Sequence, residues 1–217
     1  MFIEKPFTLS YCHVRKIKNL LINKNLIFLI NHQYLFSPYF LKLKKIINKK
    51  RIVSIYSEGH GVGPKRNYST LWDWAPHDLS MIFSILGIKE KYYILSVKKT
   101  LINGGTNWNI NLMYNEIPIK ISIGNGYKKK TRKLIIEEKS DNIYIFNDKN
   151  INKNKLRKNN KAIFVKHKFP LENKINHYIK FVKLNKKEKI DSFKYMKDIN
   201  LSLNIANYIE KISSNYY

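Results

Sequence analysis

The sequence predicts an α+β fold, a predominantly antiparallel sheet of about five or six strands with helices on one face, preceded by a single βαβ unit. Three observations predict it. Apolar and polar residues alternate through consecutive short segments between Tyr92 and Phe146, which is the period of half-buried strands. Apolar residues recur at helical spacing on both sides of that block, the mark of amphipathic helices. The opening 31 residues read as strand, helix, strand.

The elements follow in order. Phe2-Ile3 is a short strand that ends before Pro6, because proline cannot donate to a ladder. Ser10 can cap a helix running to about Asn23, with Val14, Ile17, Leu20 and Leu21 on one stripe. Leu26 to Ile30 is an uninterrupted apolar run, as in a strand covered on both faces of a parallel sheet. One βαβ unit cannot make a stable sheet alone.

After Pro38 a basic amphipathic helix runs to about Lys49, and Arg51 to Tyr56 alternates as a strand. Glycine then dominates. The stretch from Gly59 to Thr70 is expected to be a loop, followed by a helix from about Trp74 to Leu86 that stops at Gly87. Tyr92 to Val97, Trp108 to Tyr114, Ile117 to Ile123, Lys133 to Ile136 and Ile143 to Phe146 are the predicted strands, with a hairpin at Asn115-Glu116. Tyr127 to Lys130 is expected at a solvated hairpin end, and residues 147–161, rich in Asn and Lys, as a loop. Helices from about Leu171 to Val182 and Met196 to Ser213 close the chain.

Composition narrows the function classes. Hydrophobic residues make up 44% of the chain and aromatics 13%, enough to offset ordering entropy, so the disordered class is excluded. The formal charge is +26, which by itself points to nucleic acid or an anionic surface. Of 41 basic residues, however, only Arg15, Arg51, Arg66, Arg132 and Arg157 are arginine, whereas base and phosphate recognition leans on the bidentate guanidinium. The lysine excess accompanies many Asn, Ile and Tyr, a pattern of codon bias, and nucleic acid is the minority reading. Cys12 is the only cysteine. No disulfide framework or cysteine metal site is therefore expected, which fits a reducing cytoplasm. No apolar run reaches membrane-span length and no signal-type segment follows Met1. No histidine pair has convincing metal-ligand spacing, so no metal is expected. His13 reads as a helix-surface residue, His32 as lying near a domain junction, and His167 and His177 as exposed.

The richest segment is Leu71 to Gly87. Leu79, Ile82, Phe83 and Leu86 fall in one arc at helical spacing, and Asp73 lies one turn before His77 on the opposite, polar side with Met81 and Ser84. Pro76 is expected in the first turn, where its missing N–H costs nothing. On periodicity alone, Asp73 as a cap and His77 as an exposed imidazole is the preferred account.

The segment Asp73…His77-Asp78, together with Glu4-Lys5-Pro6 at a strand end, resembles the Gfo/Idh/MocA family, the relatives of glucose–fructose oxidoreductase and inositol dehydrogenase. Phe36-Ser37-Pro38 resembles the family's link between domains, Asn107 to Asp148 its sheet, and Pro170-Leu171 onward its closing helices. The resemblance thus covers nearly the whole chain. It implies that residues 1–35 are the last βαβ unit of a dinucleotide-binding Rossmann domain and residues 36–217 a substrate-binding and dimerisation domain. It implies hydride transfer between a sugar or polyol hydroxyl and NAD or NADP, with His77 as base, Lys5 stabilising the alkoxide and Asp73 orienting its neighbours. Glu4, Lys5 and Pro6 would face the cofactor, and His60, Arg66 and Tyr68 the substrate. A homo-oligomer through the open sheet face is implied as well.

One departure is large. The family's glycine turn, which holds the pyrophosphate at a helix N-terminus, has no counterpart before Lys5, and Gly59-His60-Gly61-Val62-Gly63 does not open a helix. That run reads as a substrate-cleft loop. The chain would then be half of an active enzyme with a separately encoded nucleotide domain, or a non-catalytic remnant that self-associates. Weak dinucleotide binding by the chain alone is expected.

Overall fold

The computed structural model of the chain describes residues 2–24, 29–63, 66–88, 91–139, 141–148, 155–165, a few positions between 172 and 183, and 193–216. Leu26 to Phe28, Lys65, His167 and His177 lie outside the described residues, as does most of the helix expected from Leu171 to Val182; positions 172–173, 175–176 and 178–180 are helical.

The chain opens with β1 (Phe2–Ile3), α1 (Tyr11–Asn23) and β2 (Leu29–Ile30). β1 and β2 pair in parallel, Phe2 opposite Leu29 and Ile3 opposite Ile30. The expected strand, helix and strand are therefore present as a two-stranded sheet of their own. The Asn31 N–H donates to the Ile3 carbonyl at 2.7 Å, and the Asn31 side chain donates to Glu4 at 2.6 Å.

Next come α2 (Pro38–Ile46), β3 (Ile52–Val62) and α3 (Thr70–Leu86). They are followed by β4 (Tyr92–Ile102), β5 (Gly105–Tyr114), β6 (Ile117–Gly124), β7 (Gly126–Glu138), β8 (Ile143–Asn147), β9 (Leu156–Lys158), β10 (Lys161–Ala162) and α4 (Phe193–Ser214). The eight strands after β2 form one mixed sheet in the order β10-β9-β8-β7-β3-β6-β5-β4. β3 and β6 run parallel at its centre, and every other neighbouring pair is antiparallel.

The sheet is larger than the sequence predicts, for local reasons. β7 begins at Gly126, so Tyr127 to Lys130 are strand residues and not a hairpin end. Lys128 to Lys130 are exposed on it, and their polarity hides the strand from a search for apolar alternation. Residues 155–161 are also more than a loop, since Leu156 is fully buried in β9. The hairpin at Asn115 is as expected, with Asn115 at φ 50°.

α3 packs on β3, β5 and β6, α2 on β8 and β9, and α4 covers α3 and α1. The helices thus lie on one face. α3 begins at Thr70, four residues before the expected start, because Ser69 Oγ accepts the Leu71 N–H at 3.2 Å. Pro76 therefore falls in the second turn, where it removes one helical hydrogen bond. Gly87, at φ 120°, ends the helix as expected. α3 is buried all round from Leu71 to Phe83, Asp73 being only partly covered. The side carrying His77 and Met81 is covered rather than solvated: the short turn Gln33–Phe36 packs on α3, and its Tyr34 ring meets His77. Each fully buried Leu, Ile or Phe there contributes about 1.5–3 kcal/mol.

The glycines at 59 and 61 lie in β3, not in a loop. Both face α3. A Cβ on Gly59 would overlap the Arg132 guanidinium, and one on Gly61 would come within 3.2 Å of the Trp74 ring. Their alternation makes room under a helix and cradles no phosphate.

Candidate active site

Lys5, just past the end of β1, reaches α3. Its ammonium donates to the Asp73 carboxylate at 3.0 Å and to the Asp73 backbone carbonyl at 2.5 Å. Both side chains are mostly covered, at 17% and 13% exposure. Burial holds the Lys5 pKa below its ordinary value; the Asp73 charge opposes that shift, and Arg132 and Arg66 add to it.

His77 sits one turn along α3 from Asp73, on the same side of the helix. It is buried at 8% exposure, and its ring meets the Tyr34 ring edge-on at 5.0 Å. Burial pushes its pKa well below the ordinary imidazole value, and the positive charges of Arg132 and Lys5 push it further the same way. His77 is a neutral imidazole at physiological pH. Its Nδ1 has no hydrogen-bond partner among the described residues.

A third group, absent from the expected site, fixes α3. Asp78 is fully buried, accepts from Ser57 Oγ at 2.6 Å on β3, and pairs with Arg132 of β7. The Arg132 guanidinium also lies 5.3 Å from the Tyr34 ring centroid and 5.4 Å from that of Trp74, within cation–π range. These contacts set the rotation of α3 about its axis, which turns Asp73 toward Lys5. Asp78 directly follows His77 in the sequence, but nothing in the sequence links it to a residue 54 positions away.

Arg66, Tyr68 and Asp73 line a cleft of about 350 Å³, with Lys99, Thr106 and Asn125 on its other side. The first three were expected at one site, and the structure brings them together. His60 is not with them. Gly59 and Gly61 face α3, so His60 points to the opposite face of the sheet, where it stacks on Tyr127 at 3.9 Å and bonds Ser122 Oγ at 2.9 Å. Its pKa is lowered by burial, which outweighs the attraction of Glu58. His32 is buried between β2 and α4, with Nε2 2.9 Å from Ser202 Oγ, while His13 is exposed on α1.

Among the described residues, no group of three His, Cys, Asp or Glu side chains could hold a metal ion, and no helix is long and apolar enough to cross a membrane. Glu4-Lys5-Pro6 lies at a strand end, with the Lys5–Pro6 bond cis. No glycine turn among the described residues runs from a strand straight into a helix. These residues alone therefore do not fit a whole dinucleotide.

No family model and no curated protein sequence matches the chain. Solved structures do. The dehydrogenase MviM from Clostridium difficile superposes at a TM-score of 0.77 and 18% identity, covering 98% of this chain and 70% of its own. KijD10, a 3-ketoreductase from Actinomadura kijaniata in complex with TDP-benzene and NADP, superposes at 0.77 and 12% identity, covering 98% and 69%. Biliverdin reductase from Synechocystis, in complex with biliverdin and NADP+, gives 0.71 and 14%, covering 97% and 71%. Over nearly its whole described length, the chain shares the fold of about seven-tenths of these oxidoreductases.

Proposed function

We propose that the chain is the substrate-binding part of an NAD- or NADP-dependent oxidoreductase of the Gfo/Idh/MocA type, acting on a hydroxyl of a sugar, sugar derivative or polyol. The observation that carries this is the Lys5–Asp73 pair, 3.0 Å apart, which joins the end of β1 to α3 one turn from His77. The shared fold supports it.

The chemistry assigned to the chain concerns the substrate proton. A hydroxyl carbon gives up its hydride only as its oxygen loses a proton, so a base and a positive charge must meet there. Neutral His77 is the base and the Lys5 ammonium stabilises the developing alkoxide. Asp73 holds Lys5 in place, and Arg66 and Tyr68 bind substrate in the cleft that Asp73 also lines. Glu4, Lys5 and Pro6 form the edge that meets the cofactor, whose remaining contacts come from a nucleotide-binding region. In this reading residues 1–35 belong to that region and 36–217 to the substrate domain, and the protein is cytoplasmic. Self-association uses the open sheet face, where Tyr93 is 59% exposed.

The test joins the chain to the nucleotide-binding region of a structural neighbour and follows nicotinamide reduction with a panel of sugars and polyols. His77→Ala should lower turnover by about 10²–10⁴, and Lys5→Ala by a similar factor, with Asp73→Asn milder. Activity unchanged by His77→Ala and Lys5→Ala would overturn the assignment.

A further inference from the structure

The cleft beside α3 carries more positive charge than a neutral sugar needs. Resting on the functional reading above, we propose that its substrate bears an oxyanion, a phosphate or carboxylate on the sugar, held between Arg66 and Lys99. Arg66 precedes α3 and Lys99 lies on β4, so two separate elements bring one cation each to the same cavity. The carboxylate on that lining, Asp73, is already neutralised by Lys5 at 3.0 Å. Both cations are exposed and neither has an acidic partner among the described residues, so each is open to a ligand anion.

Lys99 is held in position. Its ammonium lies 5.4 Å from the Trp108 ring centroid and 5.3 Å from that of Tyr216, so the rings fix a side chain that would otherwise lose entropy on binding. Arg66 offers a planar fork that matches a phosphate or carboxylate in two parallel hydrogen bonds. On the same wall, Asn125 Oδ1 accepts the Thr106 N–H at 2.8 Å, which leaves its amide nitrogen to donate to a ligand hydroxyl. The cavity volume, about 350 Å³, is at the small end of ligand pockets and fits a monosaccharide better than a polymer.

The test is direct binding to the full chain, without turnover. Glucose, glucose 6-phosphate, glucuronate and inorganic phosphate are titrated by calorimetry. Either anionic sugar should bind at least about tenfold tighter than glucose and than inorganic phosphate, the scale of one charge-assisted bond. Arg66→Ala and Lys99→Ala should each remove about tenfold, and together the preference. Lys161→Ala, at the far edge of the sheet on β10, should change nothing. Equal binding of glucose and the anionic sugars would overturn the proposal, as would a preference that survives both substitutions. Phosphate binding as tightly as the sugar phosphate would overturn it too, by showing an anion site with no sugar recognition. The outcomes separate it from the functional reading: turnover of neutral sugars only would sink this proposal and spare that reading, whereas anionic sugar binding with no Lys5- or His77-dependent turnover would do the reverse.

Discussion

Arg132 and Asp78 form an ion pair closed off from solvent, at 3% and 0% exposure, and the guanidinium occupies the space that Gly59 leaves by having no side chain. One residue on β7, one on α3 and one on β3 thus share a single volume. The pair holds the helix that carries Asp73 and His77.

Breaking that pair from one side leaves a buried charge alone. Arg132→Met should destabilise the fold by about 3–5 kcal/mol, read as a lower denaturant midpoint. The double variant Arg132→Met with Asp78→Leu should recover a large part of the loss. A double variant no more stable than the single one would show that the bonds of Asp78 to Ser57, rather than its charge, dominate.

Gly59→Ala should cost about 1–3 kcal/mol, because the added methyl displaces a guanidinium that packing prevents from moving. Gly61→Ala should cost less, since its nearest neighbours stand at 3.2–3.4 Å and need to give by only a few tenths of an ångström. Thermal melting of both variants checks the order.

His77 makes stability depend on pH. Its folded pKa lies well below the ordinary 6.5, so the unfolded chain binds more protons between those two values. The neutral form's stabilisation is therefore complete above pH 6.5 and lost as pH falls below it. The groups responsible, after burial itself, are Arg132, Lys5, His32 and Lys130. His77→Phe should flatten the acid side of the stability curve, measured by denaturant unfolding across pH. An unchanged slope would mean that other groups carry the acid sensitivity.

Tyr56, on the open face, donates to Glu58 at 3.0 Å. Burial and the Glu58 charge push its pKa up to about 12. Its contribution to stability is present below pH 10 and lost as pH rises toward that raised value. Glu58→Gln should bring the Tyr56 titration down, seen by carbon NMR of labelled tyrosine with Tyr56→Phe to assign the signal. A titration that stays put would assign the whole shift to burial.

Much of the fold was legible in the sequence, because it is written in short-range periods. Side chains alternate in a strand and recur every turn in a helix whatever the partner, so β5, β6, β8, α1 and the Gly87 stop follow from the residues alone. The Lys5, Asp73 and His77 candidates come instead from the resemblance of Glu4-Lys5-Pro6 and Asp73…His77 to a family's motifs, since periodicity alone leaves Asp73 a cap and His77 an exposed imidazole. What the sequence misrepresented was decided by partners far along the chain. Gly59 to Val62 resembled a loop because glycine lacks a side chain, yet the strand forms since Trp74 and Arg132 need that space. His77 resembled a surface residue because nothing local covers it, and Tyr34, in a turn more than forty residues earlier, packs edge-on against its ring. The Arg132–Asp78 pair, the turn of His60 away from Arg66 and Tyr68, and the meeting of Arg66 with Lys99 across the cleft have the same origin. The sequence by itself determined which segments extend or coil and which residues could do chemistry; only the tertiary structure decided which of them meet. Strand order and helix covering are set by burial between distant segments, and a side chain's surroundings, not its identity, fix its charge.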